Sequence, residues 1–420
     1  MSSLPQSKGE VTQVKNAVFL IMGSGIAQAI PLLFSPILSR IYTPTHFGDL
    51  AFFTATVAIA TMVATGLYEL AIVLPRSDRQ AFQLLGLVIT IAICVSAVSL
   101  FFIAIFRFSG IKLHDSIDGN ILLIPLGILF NALFQGLNYW LNRKKGYLIL
   151  NICRISQSLA IVGVSLLLGW LGAKKYGLVL GYVVGGLFSI IPLFHLLIKH
   201  HEIFTIVDMK KVAIQHLNFP KLMLPTSGMN TAAGQAPVFM LRGFYDNAIV
   251  GSYGFATRIL TAPLAIISVA IGQVFYRNLA EIEHTGDKNL ITPFKRTAGL
   301  LVVFSFLVFT PLYFWGEFIF GWIFGANWLE AGKFVQIIAL GTAVRFVVSP
   351  LSTVFYVTNR LRLLAIWQTV YFVSTISVFL IASGLPINNL LFIYSIHEVI
   401  MYGFYFVLMM LAIKKHTGDE

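Results

Sequence analysis

The sequence predicts an all-α integral membrane protein, with twelve transmembrane helices in two six-helix bundles around a central cavity. Of the 420 residues, 57% are hydrophobic and only 11% are charged, whereas about a quarter of a soluble protein is charged. The apolar residues form long blocks that can cross a hydrocarbon core of about 30 Å as helices, unlike the short alternating segments of a membrane β-barrel. The net charge of +12 is not gathered into long basic runs, which argues against nucleic-acid binding.

Hydropathy, with breaks at glycine, proline and charged clusters, defines the predicted spans. A polar interval at residues 199–220, predicted to be a cytoplasmic linker, separates an N-terminal bundle at residues 1–198 from a C-terminal bundle at residues 221–420. The spans are predicted near residues 17–41, 47–74, 81–106, 119–142, 147–171, 175–198, 221–243, 247–276, 294–320, 330–358, 362–384 and 387–413.

Lysine and arginine are distributed unequally between the two sides of the predicted membrane. The loops on the side that holds both termini carry 19 of these residues, the opposite loops carry seven, and three lie inside spans. Because basic residues favour the cytoplasmic side of a membrane, both termini are predicted to be cytoplasmic.

An internal repeat links the two predicted bundles. Residues 28–55 and 235–258 both contain Gln-Ala, a proline, an arginine followed by aromatic residues, and a glycine before the next apolar span. The arginine and glycine are eight residues apart in the first copy and nine in the second. Chance similarity between apolar segments is the alternative. Because each half has an even number of spans, the repeat predicts parallel bundles, as in some transporters.

Three arginines lie inside predicted spans, where an ionised side chain is costly unless it faces water or a partner. Arg258 and Arg345 are near the membrane middle, and each precedes a proline by five residues, Pro263 or Pro350, which favours a kink. A guanidinium suits a diphosphate because it donates paired hydrogen bonds and stays charged. Arg154, about two turns from the cytoplasmic side, is a further candidate. The alternative is that these arginines bond to helix carbonyls or, for Arg154, extend to the interface.

Further ionisable residues are candidates for cargo release or ion coupling. Arg40 and Arg242 occupy equivalent positions of the repeat, so they would form either a basic ring on the exit side or two anchors at lipid headgroups. Glu69 in span two, and His397 and Glu398 in span twelve, could carry a proton, because buried carboxyl groups and histidine exchange protons near neutral pH. The alternative for each is a polar residue satisfied within helix packing.

The sequence lacks the motifs of several catalytic and metal-binding classes. It contains no GxxxxGK phosphate loop, no GxSxG nucleophile elbow and no HExxH motif, so ATP hydrolysis, acyl transfer and zinc binding are not supported. The two cysteines, Cys94 and Cys153, lie in apolar segments. The sequence therefore predicts no enzyme activity, no cofactor and no metal site.

Four stretches, in order along the chain, resemble the polysaccharide repeat-unit flippases of bacteria, the O-antigen and capsule flippase family. The resemblance covers both halves, with one departure, because Leu67 precedes Tyr68 and Glu69 where the family often has a basic residue. The stretches are SPILSRIYTPTHFGDLAFF, YELAIVLP, GSYGFATRIL with IGQVFYRNLAE, and FGANWLEAG with RFVVSPLSTVF.

The resemblance implies a function as well as a fold. The fold would be that of the superfamily of multidrug, oligosaccharidyl-lipid and polysaccharide exporters. The cargo would be an oligosaccharide linked to undecaprenyl pyrophosphate, moved from the cytoplasmic to the periplasmic leaflet of the bacterial inner membrane for lipopolysaccharide or capsule synthesis. Membrane lipids and the polysaccharide polymerase machinery would be its other partners.

Two other functions are compatible with a polytopic membrane protein. A cation-coupled exporter of small molecules should favour acidic residues inside its spans, whereas here the mid-membrane charges are mostly arginines. A membrane glycosyltransferase or polymerase should have a long loop with acidic catalytic residues, but the largest interval between spans is the linker. The arginines thus favour transport of an anionic cargo.

Overall fold

The computed structural model describes residues 22–108, 120–199, 204–285 and 289–418. Within these ranges the secondary structure is helical, without a β-strand, and ten helices are long and apolar enough to cross a membrane. The prediction of an all-α integral membrane protein is thus confirmed, whereas the count of twelve spans stays a prediction. The start of predicted span one, before residue 22, lies outside the described residues.

The chain divides into two compact units. Unit 1 comprises Met1–Tyr42 and Asp49–Gly228, and unit 2 comprises Thr43–Gly48 and Met229–Glu420. The helices that lie wholly or mostly in unit 1 are α1 (Met22–Ile41, with a turn at Phe34), α2 (Pro44–Thr65), α3 (Asp78–Phe108), α4 (Ile124–Arg143), α5 (Tyr147–Trp170), α6 (Lys174–Lys199) and α7 (Ile206–Gln215).

The remaining long helices belong mostly to unit 2. Helices α8 and α9 overlap predicted spans seven and eight, although they are not among the ten helices that are long and apolar enough to cross a membrane. Apart from short segments, the helices are α8 (Leu224–Phe244), α9 (Asn247–Thr285), α10 (Ile291–Phe324), α11 (Leu329–Val348), α12 (Leu361–Ile381) and α13 (Ile387–Thr417).

The end of predicted span two differs from the structure. Helix α2 stops at Thr65, and Gly66 and Leu67 both adopt a left-handed backbone conformation with φ of 57°. A 3-10 helix, Tyr68–Val73, follows. The prediction of a continuous span to residue 74 was therefore wrong, because two consecutive left-handed residues cannot continue an α-helix. Glu69 consequently lies in the 3-10 segment, beyond the end of α2.

Predicted spans eight and ten also differ from the helices observed. Helix α9 extends to Thr285, beyond the predicted limit at residue 276, and its last turns carry an ion pair of 2.7 Å between Arg277 and Glu281. Helix α11 ends at Val348, where a 3-10 segment, Ser349–Thr353, begins with Pro350 at its start. The distortion predicted at Pro350 is therefore present, whereas α9 keeps its helical assignment through position 263.

The predicted polar linker contains the short helix α7, which packs against α3 in unit 1. The ring of Phe204 stacks on Phe82 with centroids 4.6 Å apart, and Arg79 pairs with Asp208 at 3.0 Å. A hydrogen bond with the Thr205 side chain, followed by the Arg79 guanidinium, holds the pKa of Asp208 below its usual range. The carboxylate is therefore ionised at neutral pH, and its contribution to docking is lost only as the pH falls through that lowered pKa.

The start of α2 belongs to unit 2 and approaches the backbone of α9 closely. A Cβ placed on Gly251 would lie 1.7 Å from the Pro44 carbonyl oxygen, and one placed on Gly48 would lie 2.2 Å from the Asn247 carbonyl oxygen. These two glycines are the ones that the internal repeat aligns. Only hydrogen in place of a side chain permits this approach, so both glycines are required by packing.

Candidate functional site

A group of ionisable and phenolic side chains, most of them buried, lies among the helices of unit 2. Arg345 is on α11, Tyr371 on α12, and Tyr394, Glu398 and Tyr402 are on α13. We call these five residues the Arg345–Glu398 cluster. It unites two residues to which the sequence analysis gave separate roles, cargo binding for Arg345 and ion coupling for Glu398.

Glu398 is the most enclosed charged group of the cluster. Its side chain is only 6% exposed. The Tyr371 hydroxyl donates a hydrogen bond of 2.5 Å to Oε1 of Glu398, and the Tyr394 hydroxyl is a second hydrogen-bond partner of the same carboxylate. A buried carboxylate needs such donors because it has left water. The tyrosines replace part of its hydration.

Arg345 faces Glu398 but remains accessible. Its Nη1 is 3.8 Å from Oε2 of Glu398, and 42% of its side chain is exposed. The guanidinium carbon lies 5.8 Å from the centre of the Tyr402 ring, within the range of a cation–π contact. The guanidinium thus contacts an anion and an aromatic residue, while 42% of the side chain remains exposed.

Close packing of α11 against α13 sets the position of Glu398. A Cβ on Gly341, one turn before Arg345, would lie 2.9 Å from both the Glu398 Cβ and the Ser395 carbonyl oxygen. The Gly341 amide donates a hydrogen bond of 3.2 Å to the Ser395 hydroxyl. Glycine at this position lets the two helices approach, which brings the guanidinium and the carboxylate within ion-pair distance.

A stack of aromatic rings supports the cluster on one side. The Trp367 ring stacks on Tyr405 with centroids 3.8 Å apart and on Tyr371 with centroids 5.1 Å apart. The Trp367 indole donates a hydrogen bond of 3.2 Å to the Met401 carbonyl. Rings that pack in this way restrict the rotamers of the cluster tyrosines, so the hydroxyl of Tyr371 is held toward Glu398.

His397 lies next to Glu398 in the sequence but has a different environment. Its Nε2 is 2.8 Å from the Ser374 hydroxyl, and its ring packs against Tyr371 and Tyr394 with centroids 6.0 and 6.2 Å apart. Its Nδ1 is buried without a hydrogen-bond partner. His397 therefore contacts the cluster tyrosines through its ring and not Glu398 through a hydrogen bond.

In unit 1, Arg154 is bonded to neutral polar side chains. Its Nη2 donates a hydrogen bond of 3.1 Å to Asn138, and its Nη1 donates one to the Ser24 hydroxyl. These contacts link α5 to α4 and α1. Because both partners are neutral, they do not neutralise the positive charge of Arg154. The guanidinium can therefore still attract an anion.

Glu69 is a buried carboxylate of unit 1, where Asp49 is also buried. Glu69 is 5% exposed, and its Oε2 has no hydrogen-bond partner. The left-handed turn at Gly66 and Leu67 directs the chain into the 3-10 segment that carries it. A non-glycine residue in this conformation is strained, and such strain is concentrated at functional sites.

The other predicted arginines lie outside the Arg345–Glu398 cluster. Arg258 is an exposed residue of α9, and Arg40 is exposed in the last turn of α1. Arg242 is half-buried in the last turn of α8. Arg40 belongs to unit 1 and Arg242 to unit 2, and the basic ring that they would form stays a prediction.

The sequence analysis missed the three cluster tyrosines. Tyr394, Glu398 and Tyr402 are spaced by four residues, so they share one face of α13. That spacing was available in the sequence as a signal of a polar stripe on an otherwise apolar helix. No such signal exists for Tyr371, which reaches Glu398 only because α12 packs against α13.

Comparison with known families identifies the chain. The profile of a family described as "Polysaccharide biosynthesis protein" matches residues 37–333, which is most of the chain. The protein belongs to this family. The family resemblance seen in the sequence is thereby confirmed. No curated protein matches the chain significantly in sequence.

Solved structures of transporters share the fold. A lipid II flippase, MurJ, in an inward closed conformation has a TM-score of 0.74 at 16% identity, covering 96% of this chain and 90% of its own. An inward-facing multidrug resistance transporter of the MATE family has a TM-score of 0.67 at 12% identity, covering 95% and 96%. A transporter from Pyrococcus furiosus, described as having a binding pocket of reversed polarity, has a TM-score of 0.54 at 13% identity, covering 96% and 96%. The chain therefore has the fold of the MOP superfamily.

Proposed function

We propose that this protein is a flippase that moves undecaprenyl-pyrophosphate-linked oligosaccharide repeat units from the cytoplasmic to the periplasmic leaflet by alternating access. Its family is one of polysaccharide biosynthesis, and a lipid II flippase is among its structural neighbours. The observation that carries the proposal is Arg345, a guanidinium that is 42% exposed and lies among the helices of unit 2 beside the buried Glu398. Such a group suits a diphosphate better than a cationic drug.

Each predicted site residue has a role in this proposal. Arg345 and Arg258 bind the diphosphate or an acidic sugar, and Arg154 attracts the same headgroup in unit 1. Arg40 and Arg242 assist release on the periplasmic side. The ionisable residues Glu69, His397 and Glu398 are the candidates for ion coupling, and no enzymatic step is required.

Transfer between leaflets of reconstituted vesicles tests the proposed cargo. The purified full-length protein should accelerate transfer of a labelled oligosaccharide linked to undecaprenyl diphosphate, relative to protein-free vesicles. The matched control is the same oligosaccharide on undecaprenyl monophosphate, which offers fewer acceptor oxygens to the arginines and should be transferred more slowly. Transport of a cationic small molecule without transfer of the diphosphate lipid would instead identify a multidrug-type exporter.

In the same proposal, both termini and α7 lie on the cytoplasmic side of a bacterial inner membrane. Lys210 on α7 and Lys174 at the start of α6 are exposed, so cysteines at these positions can react. In a chain whose Cys94 and Cys153 are replaced by serine, Lys210→Cys should be labelled only from the cytoplasmic side and Lys174→Cys only from the periplasmic side. Labelling of both variants from the same side would contradict the predicted topology.

A further inference from the structure

The two members of the Arg345–Glu398 ion pair differ in accessibility. The Glu398 side chain is 6% exposed and the Arg345 side chain 42% exposed, at a distance of 3.8 Å. An anion that approaches the pair therefore meets the guanidinium first and has the carboxylate behind it. The arginine that the proposed function assigns to the diphosphate is already paired with an anion of the protein itself.

The geometry makes this pair easy to exchange. A distance of 3.8 Å is too long for a hydrogen bond, so Arg345 and Glu398 attract each other mainly through their charges. The hydrogen bonds of Glu398 come from Tyr371 and Tyr394. Glu398 therefore keeps these donors when Arg345 turns toward another anion. An ionised Glu398 would still repel that anion across a few ångströms of low-dielectric interior.

We infer that Glu398 is a proton-binding competitor of the anionic cargo at Arg345. Protonated Glu398 releases Arg345 to the diphosphate, and ionised Glu398 takes the place of the diphosphate when it leaves. The inference rests on the proposed function for the identity of the anion. By thermodynamic linkage, if protonation strengthens anion binding, anion binding strengthens protonation by the same factor. Proton and anion consequently bind together and not in exchange.

Among the ionisable groups of the cluster, Glu398 is the one whose change of charge would affect Arg345. Arg345 stays protonated at all accessible pH values, and phenols stay neutral near pH 7. His397, the neighbouring imidazole, has its Nε2 within hydrogen-bond distance of Ser374, and because an imidazole is either neutral or positive, it cannot neutralise the guanidinium as Glu398 does. The phenols that interact with Glu398 are those of Tyr253 on α9, Tyr371 on α12, and Tyr394 and Tyr402 on α13.

Calorimetric binding of inorganic pyrophosphate to the full-length protein in detergent tests the inference. As the pH rises from about 5 to about 8, the affinity of the wild-type protein for pyrophosphate should fall by about 5- to 150-fold. This is the usual size of a coupling between two ligands. Heats measured in buffers of different ionisation enthalpy should show proton uptake on binding. Glu398→Gln should bind pyrophosphate tightly, and its remaining pH dependence should be that of pyrophosphate alone.

A second variant keeps the test independent of the folding of Glu398→Gln. Tyr371→Phe removes a donor that favours the ionised carboxylate, so the pH at which the affinity falls should move upward. Equal pH dependence in the wild type and Glu398→Gln would overturn the inference. Loss of the pH dependence in His397→Gln, or absence of pyrophosphate binding at every pH, would overturn it as well.

The outcomes also separate this inference from the proposed function. Proton-linked pyrophosphate binding, without transfer of the diphosphate lipid in vesicles, would retain the linkage and reject the flippase. Transfer of the diphosphate lipid, with pyrophosphate binding that takes up no proton through Glu398, would retain the flippase and reject the linkage.

Discussion

Gly251→Ala should destabilise unit 2 strongly, although alanine normally favours a helix. The added Cβ would lie 1.7 Å from the Pro44 carbonyl oxygen and 2.7 Å from the Gly48 nitrogen. Both atoms are backbone, so no side-chain rotation can relieve the overlap. Inserting a methyl group into a packed interface costs about 1–3 kcal/mol. We expect the upper end here because the overlap is with backbone, and that cost exceeds the gain of about 1 kcal/mol from replacing a helical glycine.

The matched control is Gly234→Ala in α8. No atom lies within 4 Å of a Cβ at Gly234, so only the helix-propensity gain remains and the melting temperature should stay equal or rise. The measurement is thermal unfolding of both variants in the same detergent. If Gly251→Ala melts as high as Gly234→Ala, the start of α2 does not pack on α9 in the molecule as it exists in solution.

The same glycine pair shows which part of the packing the sequence could predict. The repeat aligned Gly48 with Gly251, and the structure shows both in close helix contacts, each with no room for a Cβ. The repeat could not reveal what each glycine packs against. That contact depends on the position of Thr43–Gly48 within unit 2, which no local pattern specifies.

The helix boundaries show the limits of reading local signals. Pro350 was a valid marker for the end of α11, because proline removes a hydrogen bond whatever surrounds it. The end of α2 had no comparable marker. Gly66 permits a left-handed turn, but Leu67 disfavours one, so the tertiary packing that buries Leu67, Tyr68 and Glu69 must hold the turn in place.

For the candidate site, the sequence identified the charged residues but not their relation. Arg345, His397 and Glu398 were recognised because charge inside an apolar span is costly. Their separation by about fifty residues concealed the pairing of Arg345 with Glu398, which results from the close approach of α11 and α13 at Gly341. The cost of burying Glu398 also explains the tyrosines, since the carboxylate needs donors besides the arginine.

Arg345→Ala should weaken cargo binding and also destabilise the protein, so that variant alone would not distinguish the two effects. It leaves Glu398 buried without its charge partner. Breaking a buried ion pair in this way costs about 3–5 kcal/mol, and we expect the lower end because the arginine is 42% exposed. A lower melting temperature is therefore predicted for Arg345→Ala, whatever the cargo.

The double variant Arg345→Met with Glu398→Gln separates stability from binding. Replacing both members of a buried pair by neutral groups of similar size is often neutral or stabilising, so its melting temperature should lie close to that of the wild type. The cargo would still lose a charge-assisted contact of about 1.5–3 kcal/mol, equivalent to roughly 10- to 150-fold weaker binding. Arg258→Ala should weaken binding to a similar extent.

Arg345→Lys adds a test of geometry. Lysine retains the charge opposite Glu398 but replaces the planar fork by a point charge, so it should restore stability fully and cargo affinity only in part. The measurements are thermal unfolding and the affinity for the lipid-linked diphosphate, made on the same preparations. If the double variant is stable and binds and transports the cargo as the wild type does, Arg345 serves only to neutralise Glu398, and the cargo must be held elsewhere.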